Sequence, residues 1–588
     1  MQFLTHPPCT TIKQWEDAGV ALIASLKDYT ELCSAIKPQP LDNVMELSDF
    51  ETRIDTTLEV ISDQLLNVRL SLKRARNRLV PSFLRLPGEV ASTIFMHFVF
   101  DRRPTIAEAT ECGRDISSRY GYLTAFQEVR LIYSRLRKLL CVCSSWKDAL
   151  MTEGMFWTII PCIQVQNSTK FKQAIKHVLP RAGGCKLSLV AGQFSLRNVY
   201  NISESLPELL TQYGLRLRAI NLSTDNLRMI RDTVTNLPLV GATSVTEISI
   251  ELNKGLRVAP RLPRDPDYIF PPSYPEQDSF TDTIGTLKAF RISGIYFHWD
   301  TMVFSGRLVE LQIANITLGY DEAIIPFLHA LSSAPGLRDL KIISVTTFRH
   351  EGVPFNQHAL SNMSVEFPNL RSLLVQKLYF NTLECLLPMI KSVWDCLVLF
   401  LNYRCLRTKE EGDRQMRPPR VDRVTNLCKI LSPLSLDALT LGHGHDEETW
   451  LDMITFQVLL KGLPTLTTLR MHNWIFEGGI WQGLTRPSVA ESDSQAHSFA
   501  ALENLYLNAA RLRTCTFPLG DVQRMVASHP LRLVVLGGVR ESAPPHAYQD
   551  SLLGTDVVTV FEKNVPEFRL VNQLEFLPEY YLDSWQLW

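Results

Sequence analysis

Apolar residues recur at helical intervals through the first part of the chain. Within residues 11–79, which read as helix, Ile54, Leu58, Ile61, Leu65, Val68 and Leu72 step by 4, 3, 4, 3 and 4 positions, the spacing of a heptad seam. The pattern runs back through Phe50 and Leu47 and forward through Ala75 to Leu79. An earlier helix with Ile12, Trp15, Leu22, Leu26 and Leu32 offers this seam a partner. An intramolecular helical hairpin is therefore expected ahead of a coiled-coil dimer. Lys73, Arg74, Arg76 and Arg78 close the second helix, where cations suit the helix dipole, and a nuclear-localisation reading of this run is weaker.

The periodicity changes after residue 205. Short Leu-x-x-Leu-x-Leu-like segments recur at 215–222, 245–252, 287–292, 308–313, 337–342, 370–375, 396–401, 436–441, 466–471, 502–507 and 531–536. Helix-like pieces such as 323–332, 383–392, 456–463 and 521–528 lie between them. One strand and one helix per unit, each burying its neighbour's apolar face, is the physics of a leucine-rich-repeat-like solenoid with parallel strands lining a concave side. The alternative is an α/β globule with one parallel sheet. Pro335, Pro368 and Pro464, each two residues before a Leu, mark turns into strands because Pro disfavours further helix. Residues 253–284, 404–423 and 486–498 interrupt the pattern and read as excursions, and the aromatic stretch 580–588 reads as a cap on the last repeat.

Composition narrows the class. Hydrophobic residues are 45% and charged residues 21%, the balance of an ordinary globular chain. Sixty Lys+Arg against 61 Asp+Glu leave a net charge of -1, so no chain-wide field attracts nucleic acid or anionic membrane. No apolar run approaches the length of a membrane span. The first residues lack the basic and apolar regions of a secretory signal, so a cytoplasmic or nuclear location is expected. Twelve scattered cysteines then read as reduced thiols, buried as small hydrophobes.

After Pro81 the chain reads Leu86-Pro87-Gly88-Glu89-Val90-Ala91-Ser92-Thr93-Ile94-Phe95-Met96-His97-Phe98. Pro87 suits an early helical position and Glu89 suits the first turn. Val90, Ile94 and Val99 approximate one apolar stripe, which Phe95 and Phe98 widen beyond the needs of a lone surface helix. Downstream comes Val142-Cys143-Ser144-Ser145-Trp146, and then Met155-Phe156-Trp157. In order and residue type the two pieces resemble the bipartite F-box. The resemblance covers residues 81–162 and is closest to fungal F-box proteins. Ala91 stands where the family usually has Leu, Gly154 where it usually has Pro, and residues 101–135 separate the halves as an apparent insertion.

That resemblance implies a substrate receptor of an SCF-type ubiquitin ligase, with the F-box docking on a Skp-family adaptor and through it on a cullin scaffold. Leu86, Pro87, Val90, Ile94, Phe95, Val142, Trp146 and Trp157 are the residues it assigns to the adaptor face or its immediate support. The bland reading beside it is two amphipathic helices around a Trp, belonging to a helical core.

Catalytic chemistry is weakly signalled. His443, His445 and Asp446 form the most chemical-looking cluster, but His-x-His supplies two ligands where a metal needs about three or four. Walker, dinucleotide-binding, zinc-protease and nucleophile-elbow motifs do not occur. The expected protein is a non-enzymatic adaptor without cofactor or metal, binding an unidentified protein substrate, and not nucleic acid or membrane. A repeat scaffold without ligase association is the alternative. The expected fold class is α/β, with a helical segment at 1–80, an all-α F-box at 81–162 and an irregular leucine-rich-repeat-like solenoid at 163–588.

Overall fold

The computed structural model describes residues 10–36, 44–79, 86–101, 108, 125–163, 168–193, 202–239, 244–253, 260–271, 274, 276–351, 364–391, 396–411, 421–442, 450–487, 499–513, 519–541 and 549–571. The chain divides into two compact units, residues 1–86 and 87–588.

The first unit holds two helices, α1 (Thr10–Ala35) and α2 (Val44–Leu79). The heptad seam of α2 is open: Leu58 is 64% exposed, and Ile54, Leu65, Val68 and Leu72 are exposed with it. Trp15, Leu22 and Leu32 of α1 are exposed too. A hairpin packed along its length would have covered these side chains, so α1 is not the seam's cover.

The second unit begins with three helices, α3 (Gly88–Phe100), α4 (Ala125–Leu140) and α5 (Ser144–Thr152). The 3-10 turn Gly154–Trp157 then leads into the first strand. The strands are β1 (Ile159–Ile163), β2 (Leu187–Gln193), β3 (Leu217–Thr224), β4 (Glu247–Leu252), β5 (Ala289–Ser293), β6 (Glu310–Ala314), β7 (Thr317–Tyr320), β8 (Asp339–Ile343), β9 (Thr346–Phe348), β10 (Val365–Glu366), β11 (Ser372–Gln376), β12 (Ile390–Lys391), β13 (Cys396–Leu401), β14 (Ala438–Gly442), β15 (Thr468–His472), β16 (Ile475–Phe476), β17 (Asn504–Arg513), β18 (Leu533–Glu541), β19 (Gln549–Ser551) and β20 (Glu567–Val571). Sixteen of them form one sheet in the order β1-β2-β3-β4-β5-β6-β8-β11-β13-β14-β15-β17-β18-β19, with β16 on β17 and β20 on β18. Its pairings are parallel except β18 with β19.

Register explains the leucine pattern. Leu311, Leu340 and Leu373 stand side by side on adjacent strands, as do Leu439, Leu469 and Leu505, and all are fully buried. Helices between the strands close this core. Ile324–Ser332 contributes Phe327, Leu328 and Leu331, and Met453–Gly462 contributes Phe456, Leu459 and Leu460. Phe280, Phe290, Phe297 and Trp299 form a chain of ring contacts that reaches Phe327.

Two features overturn the expected fold class, an all-α F-box followed by an irregular leucine-rich-repeat-like solenoid. First, a solenoid needs an open inner strand face. Here Arg291, Gln312 and Gln376 alternate with the core residues and so point to the other side of the sheet, yet they too are buried. All five residues of β5 are withdrawn from solvent, and seven of the eight in β3. Burial on both faces is the signature of a parallel α/β sheet, the alternative that strand spacing alone could not separate from stacked repeats. The covered polar row is internally paired. Arg291 donates to Glu310 at 3.0 and 2.7 Å and Lys341 reaches the same carboxylate at 3.4 Å. Burial would raise the Glu310 carboxyl, but these hydrogen bonds hold it below its ordinary range. Second, α3 to α5 are not a free-standing all-α domain. They share a compact unit with the sheet, and the Tyr133 hydroxyl on α4 donates to the carbonyl of Ile159 in β1 at 2.6 Å. The segment read as an insertion is helical from Ala125 onward.

Candidate functional site

The site worth building is the helical module of α3, α4 and α5. Pro87 opens α3 in extended conformation, and its carbonyl accepts from the amides of Val90 and Ala91 at 3.0 and 3.1 Å. Glu89 lies in the first turn, where a negative charge is favoured. One face of α3 turns inward: Phe95 and Val99 are buried, and the Phe95 ring meets Trp146 of α5 at 4.8 Å between centroids. Leu136 of α4 and Leu150 of α5 are buried too. The Trp157 indole nitrogen donates to the Leu150 carbonyl at 2.8 Å, and the Arg181 guanidinium lies 4.7 Å over the Trp157 ring.

A second stripe of α3, about 100° around the helix from the buried one, is uncovered. Leu86 is 40% exposed, and Val90, Ile94 and Phe98 are each 42% exposed. Val90, Ile94 and Phe98, four apart, form one ridge on α3, about 12 Å long at 1.5 Å per residue. Val142, in the turn after α4, and Met155 are also exposed. Of the eight residues singled out from the sequence, Leu86, Pro87, Val90, Ile94 and Val142 face outward. Trp146 is half-buried, and Phe95 and Trp157 are core.

Sequence reasoning missed the group that braces this ridge. Glu108 and Arg135 form a buried two-point ion pair at 3.0 and 2.9 Å, with side chains 7% and 3% exposed. Arg135 also donates to the carbonyl of Asp101, just past the end of α3, and its guanidinium lies 5.5 Å from the centre of the Phe98 ring. The two residues are 27 positions apart, and both sit within the segment 101–135 that was expected to be an excursion. The usable signal was an arginine among the apolar positions Leu131, Ile132, Leu136 and Leu139 of α4.

Among the described residues, no group of three or more His, Cys, Asp or Glu is arranged to hold a metal ion, and no helix is long and apolar enough to cross a membrane. His443, His445 and Asp446 lie outside the described residues. The described cysteines are free thiols. Burial pushes the Cys162 thiol up to about 12 and the Cys428 thiol up to about 11, so neither carries thiolate at neutral pH. What fold and site define is an α/β protein with a helical module that presents an apolar ridge. No family model matches the sequence, and no curated protein matches it either.

Proposed function

We propose that the protein is a substrate-recognition adaptor of an SCF-type ubiquitin ligase, with the α3 ridge docking on a Skp-family adaptor and through it on a cullin, and the sheet-bearing body holding a protein substrate. In this reading the chain makes and breaks no bonds. It raises the local concentration of a substrate lysine near the charged conjugating enzyme. One observation supports the reading: Val90, Ile94 and Phe98, part of the segment that resembles the F-box, form a solvent-facing apolar stripe on α3, while Phe95 meets Trp146 on the inward side. Apolar surface of this kind on a braced helix is suited to covering by another polypeptide.

The test is co-expression of the intact chain with a Skp-family adaptor and capture through a tag on the chain. Adaptor is expected to co-purify with the unaltered protein, and to be lost from Val90→Asp, Ile94→Asp with the fold retained. Absence of adaptor from the unaltered protein would leave the scaffold without ligase association as the better reading.

A further inference from the structure

The seam of α2 is a second uncovered apolar surface, separate from the α3 ridge. Ile54, Leu58, Leu65, Val68 and Leu72 are all at least 40% exposed, whereas a heptad seam in a paired helix is buried. Val60, Leu66 and Leu70 are exposed but fall off the seam. Charge is unevenly divided along the same helix. Glu46, Asp49, Glu51, Asp55, Glu59 and Asp63 occupy its residues 46–63 with Arg53 as the one cation. Arg69, Lys73, Arg74, Arg76 and Arg78 follow over residues 64–79, which have no acid. Two such helices side by side in parallel set acid against acid and base against base. Reversed, each acidic stretch meets a basic stretch.

We propose that α2 is a self-association surface on which two copies of this chain pair antiparallel as a two-fold dimer. The heptad register supports that orientation. Leu58, Leu65 and Leu72 take the a positions, and Ile54, Ile61 and Val68 the d positions. An antiparallel pair centred at the level of Asp63 sets Ile54 against Leu72 of the second copy, Leu58 against Val68 and Ile61 against Leu65. Every layer then combines a leucine with a β-branched residue. A parallel pair would stack Leu on Leu at a and Ile on Ile at d, the arrangement that favours higher oligomers. Asp55 falls at an e position, and the antiparallel alignment brings it opposite Arg69 and Arg76 of the other copy. All three are exposed, so changing them leaves the helix interior alone. The contact is isologous, repeating the same residues on both copies, and closes at two. It does not rest on the adaptor reading.

Light scattering on the full chain after size exclusion should give twice the mass of one chain, and Leu58→Asp, Leu65→Asp should give the mass of one. The orientation is read by charge exchange. Asp55→Arg alone and Arg69→Glu, Arg76→Glu alone should each weaken self-association about tenfold or more, and an equimolar mixture of the two should recover it as a mixed dimer. A parallel pair would not rescue, because residues 55 and 69 of its two copies stand about 21 Å apart along the axis. A single-chain mass across the concentration range, a mass of four chains, or a mixture no stronger than its components would each overturn the proposal.

Discussion

Removing Glu108 tests whether the α3 ridge is held rigid from beneath. Its carboxylate faces Arg135 at 3.0 and 2.9 Å, and the guanidinium side chain is 3% exposed. Lys138 approaches the same carboxylate at 4.0 Å but is 41% exposed, so its share is small. Glu108→Ala removes the carboxylate from a buried cation, which should cost about 3 to 5 kcal/mol. Glu108→Leu combined with Arg135→Met removes both charges and should lie within about 1 kcal/mol of the unaltered protein. Hydrogen exchange over residues 88–100 and 125–140 reads the difference. The single variant should open about a hundredfold to a few thousandfold more often, and the double variant close to normally. Because Arg135 contacts the end of α3, adaptor capture should fall with the single variant and return with the double. Exchange changed less than about tenfold by Glu108→Ala, or a double variant as loose as the single, would refute the brace.

Three further outcomes are expected. Phe95→Ala should destabilise the helical module by about 3 to 5 kcal/mol through the cavity it leaves against Trp146, whereas Val90→Ala should cost less than about 1 kcal/mol, both read by denaturant titration. Burial, with Lys377 adding to it, holds His472 down to about 4 from 6.5. The unfolded chain therefore binds a proton that the folded chain refuses, so stability should fall by about 3 kcal/mol as pH drops from 6.5 to 4 and level off below; His472→Gln should flatten that slope. Gly294 has φ +71, and a Cβ there would meet the Leu252 carbonyl oxygen at 2.5 Å, so Gly294→Ala should cost about 2 kcal/mol or more by thermal unfolding.

The strands were legible because their signal is local. Leu337, Leu340 and Ile342 repeat a spacing that Leu466, Leu469 and Met471 share, and the register between neighbouring strands follows from it. The fate of the opposite strand face was not legible. Arg291 and Gln312 are the residue types one expects in solvent, and nothing in their spacing says that both are covered. On α3 the sequence showed one stripe of Val90, Ile94 and Val99 widened by Phe95 and Phe98, and the structure divides it into an exposed set, Val90, Ile94 and Phe98, and a buried set, Phe95 and Val99. They lie a single residue apart, about 100° around the helix, so periodicity could not say which would face in. That choice is made with Trp146, which meets Phe95 from a helix more than forty residues later.

The same distinction bears on where a protein substrate would be held. Strands with one open face would offer recognition through side chains such as Gln312, Gln376 and Thr440, but these are buried. A partner approaching the body meets instead what stands outside the strands: the carboxylate of Glu411, to which Tyr320 donates at 2.6 Å, the His350 ring stacked 3.8 Å from that of Tyr320, and exposed side chains such as Val303 and Leu553. Substitutions at the buried strand positions should therefore act through stability. A change in substrate choice without loss of stability should come from exposed positions such as Val303 and Leu553, so a Thr440→Val variant that folded normally yet bound differently would place recognition on the buried strand row.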